Sequence, residues 1–197
     1  MKKTRMAARL LIAFCLAFSA AACSSSEKAD GLSRARKEIR ESYPEVQVPR
    51  IEGLELRLAY REKAFSPERG LGGNAESGEG VAKDNFVFVY TDQKGRPEDL
   101  DPRLDGPLNG EQLLYGPYEG DDVMTLTISD LPAKVRGAEE LDIEGAAVQK
   151  ADLEVGSLYA VARSSGVTYT METNSASGRE EEEWLGILAK ISKGEKN

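Results

Sequence analysis

The chain has 197 residues and a formal net charge of −8, with two cysteines and no histidine. The missing histidine excludes histidine-ligated zinc and the Ser-His-Asp and Cys-His catalytic arrangements. The length suits one domain built around a single core, and the acidic charge makes nucleic acid a poor partner.

The first 22 residues have the pattern of a bacterial export signal. Four basic residues precede an apolar run, residues 10–18, that is too short to span a bilayer. Ala20-Ala21-Ala22 then leads to Cys23. This order resembles the signal peptide and lipobox of bacterial lipoproteins, although Ala20 stands where an aliphatic residue is usual. The resemblance implies cleavage before Cys23, a diacylglyceryl group on its thiol, and a lipid-anchored protein on the extracytoplasmic face of the cell membrane. The alternative is an ordinary secretory signal cut near Ala22, which would leave the protein soluble.

Cleavage before Cys23 would change the composition of the remaining chain. The leader holds four of the 26 basic residues and none of the 34 acidic ones, so the mature chain has 22 basic residues and a net charge of −12. Nucleic acid or an anionic bilayer is therefore not expected as the main partner. The other cysteine, Cys15, is lost with the leader, so no disulfide can form and stability must come from packing.

The mature chain is predicted to begin with a tether and a helix. Residues 23–29 are small and polar, which is typical of a flexible tether. Asp30 is a candidate cap for a helix that reaches about Tyr43, and Pro44 ends it. We expect this helix to pack on the edge of the domain, and a partner-binding helix is the alternative.

Two strands with a long loop between them come next. Residues 54–60 alternate apolar and polar side chains, whereas residues 86–90 are apolar on both faces, as in a central strand covered on each side. The glycine-rich segment 65–84 predicts a loop. Within it, Gly70-Leu-Gly72-Gly-Asn-Ala75 superficially fits a dinucleotide fingerprint. The strand before it and the helix after it are missing, so we do not expect a nucleotide site.

The segment 91–122 is polar and rich in proline and glycine, with a short strand predicted at residues 111–115. It contains four aspartates with the oxygen ligands that Ca²⁺ prefers, namely Asp92, Asp99, Asp101 and Asp105. Their spacing does not fit an EF-hand, because Arg103 takes the place of the third ligand. We therefore interpret them as solvated loop side chains and expect no metal or other cofactor, with calcium binding left open as the alternative.

The second half has regular strand patterns. Residues 124–128 predict a strand with one wet face, and residues 141–148 predict another in which Gly145 marks a bulge or a close backbone contact. Residues 158–163 and 167–173 flank Ser164-Ser165-Gly166. This pattern predicts a hairpin whose glycine has a positive φ angle.

The last element is a helix predicted from Gly178 to about Ser192. Ser177-Gly-Arg-Glu180 matches a capping box, and Trp184 belongs to a broad apolar face that should lie across a sheet. Taken together, the elements predict an α+β fold for residues 30–197. We expect a single antiparallel sheet of about six strands, with an N-terminal helix and a C-terminal helix packed on it.

The order of elements in residues 111–193 resembles the DUF4367 module. The resemblance is carried by Tyr115, the strand 124–128, Ile143-Glu-Gly-Ala146, the strand 158–161, Gly166-Val-Thr-Tyr169 and the closing helix 184–191. That module occurs in extracytoplasmic parts of lipoproteins and regulatory membrane proteins of Gram-positive, spore-forming bacteria. The resemblance implies an antiparallel sheet with a C-terminal helix and no known catalytic centre.

The sequence contains few candidates for catalysis. Asp142 and Glu144 fall on one face of a predicted strand, as a carboxylate-dependent hydrolase would require, but they flank the core residue Ile143 as solvated side chains do. Ser164-Ser165 and Lys150 are nucleophile types without a recognisable base. We therefore expect a non-catalytic binding or sensing domain whose partner is an envelope protein or peptide. The alternative is a lipid or lipoprotein carrier with an apolar groove between sheet and helix.

Overall fold

A computed structural model of the chain describes residues 23–44, 46, 48–65, 82–99, 112–133, 135–153, 157–174 and 178–195. These residues form two helices, α1 (Cys23–Ser42) and α2 (Glu181–Ser192). They also form eight strands: β1 (Glu55–Phe65), β2 (Ala82–Thr91), β3 (Gln112–Tyr115), β4 (Met124–Ser129), β5 (Glu139–Ile143), β6 (Ala146–Leu153), β7 (Ser157–Ser164) and β8 (Val167–Thr173).

All eight strands belong to one antiparallel sheet. Their order across it is β3-β1-β2-β4-β8-β7-β6-β5. The structure therefore confirms the α+β class, the single antiparallel sheet and the two helices. The predicted number of about six strands is wrong, because the structure has eight.

A hairpin that the sequence pattern concealed supplies one of the additional strands. The other is β3, the short strand predicted at residues 111–115, which the count of about six did not include. Residues 141–148 are divided between β5 and β6, which pair down to Ile143↔Ala146. The turn residues Glu144 and Gly145 have φ angles of 53° and 84°. Positive values at both positions are typical of a two-residue type I′ turn. Gly145 is therefore a turn residue and not a bulge, and Asp142 and Glu144 do not share a strand face.

The hairpin predicted around Gly166 is confirmed. Strands β7 and β8 pair down to Ser164↔Val167, which leaves Ser165 and Gly166 in the turn. Gly166 has the expected positive φ of 81°, and Ser165 also lies in the left-handed region at 50°. The β5–β6 and β7–β8 hairpins therefore use the same tight turn geometry.

One face of the sheet carries the apolar core. Paired residues cross it in two rows, Phe86↔Ile128↔Tyr169↔Ala162↔Val148 and Phe88↔Leu126↔Met171↔Ala160. All of these residues are buried, and all belong to one cluster. Each large apolar side chain buried in such a row contributes about 1.5 to 3 kcal/mol.

Both helices pack on this same face. Helix α2 contacts β5, β6, β7 and β8, while α1 contacts β3 at the other end of the sheet. The core cluster includes Ala35 and Ile39 from α1 and Trp184 and Leu188 from α2. The predicted burial of Trp184 is confirmed.

The N-terminal ends of both helices differ from the predictions, whereas the C-terminal ends agree with them to within one residue. The predicted start of α1 at Asp30 is corrected to Cys23, so residues 23–29, which were assigned to a flexible tether, form the first turns of the helix. Alanine, glutamate and lysine at positions 27–29 favour helix, which accounts for the longer element.

Helix α2 begins later than predicted. Its N-cap is Glu180, in an extended conformation and without a side-chain cap hydrogen bond, so the predicted capping box is wrong. Gly178 has a φ angle of +68°, which no helical residue adopts. The acidic first turn, Glu181 to Glu183, is as expected and stabilises the positive end of the helix dipole.

The segment between α1 and β1 completes the covered face. Val46, Val48 and Ile51 are buried in the core cluster. The Tyr90 hydroxyl donates to the carbonyl oxygen of Pro49 at 3.0 Å. This segment therefore covers the β2 region of the sheet, beside the part that α2 covers.

Arg179 joins that segment to α2. Its guanidinium donates to the carbonyl oxygen of Glu52 and pairs with Glu183 at 2.8 Å. It also lies 5.2 Å from the centroid of the Trp184 ring, within the range of a cation–π interaction. Residues from both halves of the chain thus close the core together.

Candidate functional site

Cys23, the predicted lipidation site, is the first residue of α1. The described side chains of α1 first enter the core at Ala35. A helix rises about 1.5 Å per residue, so Cys23 lies roughly 18 Å along the axis from Ala35. A group attached to Cys23 would therefore sit on a helical arm. The predicted leader, residues 1–22, lies outside the described residues.

Only two of the four aspartates considered for calcium lie in the described part of the chain. Asp92 and Asp99 are exposed, and Asp101 and Asp105 lie outside the described residues, as does the glycine-rich segment 70–75. No group of three potential ligands forms among the residues that the structure describes. Nearby acidic residues pair with cations instead. Arg57 lies 2.8 Å from Asp122 and 3.4 Å from Glu98.

Lys94 has a structural role at the same end of the sheet. Its Nζ lies 4.8 Å from the ring centroid of Tyr118 and donates to the Tyr115 hydroxyl at 3.1 Å. It also lies 3.7 Å from a Glu55 carboxylate oxygen, and its side chain is only 13% exposed. Burial raises the pKa of Tyr115, so its hydroxyl stays protonated at neutral pH. These contacts tie the loop after β2 to β1 and β3.

The carboxylates considered for hydrolysis have separate structural roles. Asp142 accepts a hydrogen bond from the backbone N–H of Gly145 at 2.9 Å, within the β5–β6 turn. Glu144 lies in that turn, 3.8 Å from the Nζ of Lys193 at the end of α2. One carboxylate therefore closes the turn, while the other ties the turn to the helix.

The candidate nucleophiles are also apart from one another. Lys150 is paired with Ala160 across the β6–β7 ladder and forms ion pairs with Glu181 and Glu139. Ser164 and Ser165 lie at the far end of β7 and in its turn. The structure thus places Lys150 between the sheet and the start of α2, not beside either serine.

The interface between α2 and the sheet is filled with side chains. Trp184, Leu188 and Ala189 are 2%, 0% and 0% exposed, and Met171 and Ala160 of the sheet are both 0% exposed. Within the described residues this contact has the close packing of a core. It therefore does not resemble the apolar groove that a lipid carrier needs.

The opposite face of the sheet lies away from both described helices. Its paired rows are Tyr60↔Val87↔Thr127↔Thr170↔Val161 and Leu58↔Val89↔Thr125↔Glu172↔Tyr159. The three valines are buried, as expected for β2, whereas the tyrosines and threonines are half-buried and Glu172 is exposed. The predicted alternation of β4 is confirmed, but its second face is only partly wet, since Thr125 and Thr127 are half-buried and Ser129 is buried.

The two edges of the sheet differ in accessibility. At the β3 edge, Arg34 of α1 donates to the carbonyl oxygen of Leu113 at 2.6 Å. The arginine side chain therefore occupies that edge. At the other edge, β5 pairs only with β6 among the described strands. Three exposed acidic residues line it, Glu139, Glu140 and Asp142. The β5 edge is therefore the accessible edge of the described sheet.

The sequence pattern did not predict the β5 edge, because it did not predict the β5–β6 hairpin. The available signal was Glu144-Gly145 between Leu141-Asp-Ile143 and Ala146-Ala-Val148, a turn-like dipeptide between two apolar alternations. Without that turn, residues 141–148 look like one strand with no particular place in the sheet.

None of the described helices has a long enough apolar stretch to cross a membrane. Comparisons with protein-family models, curated proteins and solved structures found no match to this chain.

Proposed function

We propose that the protein is a membrane-anchored, extracytoplasmic lipoprotein whose domain binds an envelope protein or peptide without catalysing a reaction. The order of basic residues, apolar run, small residues and Cys23 supports the anchor. The proposed resemblance of residues 111–193 to the DUF4367 module, which no family model matches, would imply an extracytoplasmic regulatory or binding role.

The observation that carries the binding role is the one-sided arrangement of the domain. Both helices and the segment before β1 cover the same face of the sheet, while the other face lies away from the helices and the outer edge of β5 pairs with no described strand. Lys150 and Glu144, two of the side chains considered for chemistry, form ion pairs with Glu181 in α2 and with Lys193 at its end. Arg57 and Lys94 likewise form ion pairs that hold strands and loops together. The described surface is therefore better suited to recognition than to reaction.

The filled interface between α2 and the sheet favours recognition at the surface over carriage of a lipid inside the domain. A carrier of the expected kind would bind acyl chains where Trp184 and Leu188 now pack. Removing those side chains from the core would cost several kcal/mol, which a bound lipid would have to offset.

The anchor is tested by growing cells with an alkyne analogue of palmitate and measuring the label on the protein. We expect label on the wild type and none on Cys23→Ser, because the thiol is the acceptor. Cys15→Ser is the matched control and should keep the label, since Cys15 lies in the leader. An unlabelled wild type, or a labelled Cys23→Ser, would contradict the anchor.

The binding role is tested by chemical crosslinking in intact cells followed by mass spectrometry. We expect an envelope protein or peptide to be attached to the wild type and lost when Cys23→Ser releases the domain from the membrane. Recovery of the protein without any crosslinked partner would contradict the proposal.

A further inference from the structure

We propose that the β5 edge binds an extended peptide segment carrying basic side chains, so that the partner adds a ninth strand to the sheet. This inference rests on the proposed function, because it names the surface and the chemistry of the partner. Strand addition of this kind draws affinity from backbone hydrogen bonds and specificity from alternate side chains.

The backbone of β5 has groups available for such pairing. The two-residue turn makes Ile143↔Ala146 a hydrogen-bonded pair, and the pairing then alternates along the antiparallel ladder. Residues 139, 141 and 143 therefore direct their N–H and C=O groups toward β6. Glu140 and Asp142 direct theirs away from β6, toward the open edge.

The side chains of β5 define what the added strand should carry. Leu141 and Ile143 lie on the helix-covered side, half-buried against the core cluster. Glu140 and Asp142 lie on the opposite side and are exposed. Because cross-strand neighbours interact directly, a guest strand should place apolar residues beside Leu141 and Ile143 and basic residues beside the two acids.

Among the described residues, no close ion pair neutralises the charges at this edge. Glu140 accepts from the Gln149 amide at 3.2 Å, and Glu139 lies 4.0 Å from Lys150 with its side chain 64% exposed. Asp142 accepts only a backbone hydrogen bond within the turn. The edge is therefore acidic, in a mature chain of strongly negative charge, and should attract a cationic partner.

The same charges disfavour a second copy of the chain as the occupant. Pairing two β5 strands would place the acidic residues of one copy close to those of the other. Like charges directly opposite in a sheet are destabilising. The β3 edge offers no equivalent surface, because Arg34 already donates to its Leu113 carbonyl oxygen.

The test measures binding of a short synthetic peptide, in which lysine and valine alternate, to the purified full chain. We expect saturable binding that slows hydrogen exchange at the Glu140 and Asp142 amides. A peptide in which glutamate replaces lysine should not bind. A version N-methylated at alternate backbone nitrogens should bind about tenfold more weakly, because it cannot complete the ladder.

Variants of the protein separate strand pairing from simple charge attraction. Glu140→Pro removes an N–H that faces the open edge, a position where a strand tolerates proline, and should weaken binding about tenfold. Glu172→Lys is the control for the overall charge of the chain, since it changes that charge by two units, more than Glu140→Pro does, at an exposed position of the central strand β8. It should leave the peptide affinity within about twofold, because it lies away from the edge.

Unchanged binding by Glu140→Pro, equal weakening by Glu172→Lys, or self-association through β5 without peptide binding would overturn the inference. If Glu140→Pro does not fold, the N-methylated peptide on the wild type decides the same question. Success of the labelling and crosslinking experiments together with failure of the peptide would overturn this inference alone. Peptide binding without lipid label would instead overturn the anchor.

Discussion

Trp184 links α2 to the sheet and to the segment before β1. The side chain is 2% exposed and lies under the Arg179 guanidinium. Trp184→Ala should lower the free energy of unfolding by about 3 to 5 kcal/mol, because it removes a large buried ring and leaves a cavity. Chemical denaturation measures this change. Glu182→Ala, at an exposed position of the same helix, should lower stability by less than about 1 kcal/mol, because it removes only one favourable charge near the helix N-terminus. Equal effects of the two substitutions would show that Trp184 is not a core residue.

Tyr43 is a polar contact at the end of α1. Its hydroxyl donates to the Asp84 carbonyl oxygen and accepts from the Asp130 N–H, each at 3.0 Å. Burial, followed by the charge of Asp130, raises the pKa of Tyr43 from 10.0 to about 12. The pKa of Tyr43 is therefore higher in the folded chain than in the unfolded chain. The protonated Tyr43 hydroxyl stabilises the fold fully below about pH 10, and this stabilisation is lost as the pH rises toward 12.

Tyr43→Phe tests that dependence. The variant keeps the ring contact with Phe86, whose centroid lies 5.7 Å away, but loses both hydrogen bonds. We expect it to be about 1 to 2 kcal/mol less stable than the wild type at pH 7. The difference should shrink between about pH 10 and 12, because only the wild type loses the tyrosine contribution. Denaturation curves at pH 7 and pH 11 measure this, and a difference that grows with pH would contradict it.

At the scale of elements, two glycines with similar backbone angles should respond differently to substitution. Gly116 and Gly145 have φ angles of 80° and 84°. A Cβ on Gly145 would meet nothing within 4 Å, whereas one on Gly116 would lie 2.2 Å from the carbonyl oxygen of Arg57 in β1. Gly145→Ala should therefore cost about 1 to 2 kcal/mol from left-handed strain alone. Gly116→Ala should cost about 3 kcal/mol or more, because β1 must also move.

Thermal or chemical denaturation of the two glycine variants makes this comparison. Each variant is the control for the other, since the backbone strain is shared and the contact with β1 is not. If Gly145→Ala is as unstable as Gly116→Ala, the prediction is contradicted, because a Cβ at position 145 would then meet neighbouring atoms.

Most elements could be predicted from their local patterns, and the exceptions have physical reasons. The alternation of residues 124–128 and the turn signal around Gly166 were sufficient to predict β4 and the β7–β8 hairpin, because each of these strands has one face in the core. The pattern of 141–148 was ambiguous, since a bulge and a two-residue turn both shift the alternation by one residue. The apparent capping box failed because the positive φ of Gly178 excludes it from a helix.

The candidate binding edge could not be predicted because strand order is a property of the whole sheet. Nothing in Glu139–Ile143 indicates that it forms the last strand, since this depends on how β7 and β8 pair with β4 and β6. The same holds for the β3 edge, where Arg34 meets Leu113 across a separation of 79 residues. Such contacts follow from topology and not from a local period.

At the scale of the molecule, one core depends on both ends of the described chain. A chain that stops after Asn174 lacks α2, and with it Trp184, Leu185, Leu188 and Ile191. We expect it to lose cooperative unfolding and to bind a hydrophobic dye, because the face over β6 and β7 becomes exposed. A chain that stops after Glu195 keeps α2 and is the matched control. A cooperative transition in the shorter chain would show that the sheet is stable without its last helix.

The bridge from Arg179 to Glu52 also has a consequence for biogenesis. An exported polypeptide emerges on the far side of the membrane with its amino end first, and the docking site for Arg179 would emerge long before Arg179 itself. Until α2 packs on the sheet, the core around Ile51 stays uncovered on that side. If the chain is exported as proposed, folding would therefore finish late, on the far side of the membrane, and a chain stalled in transit would expose its apolar core face to proteases there.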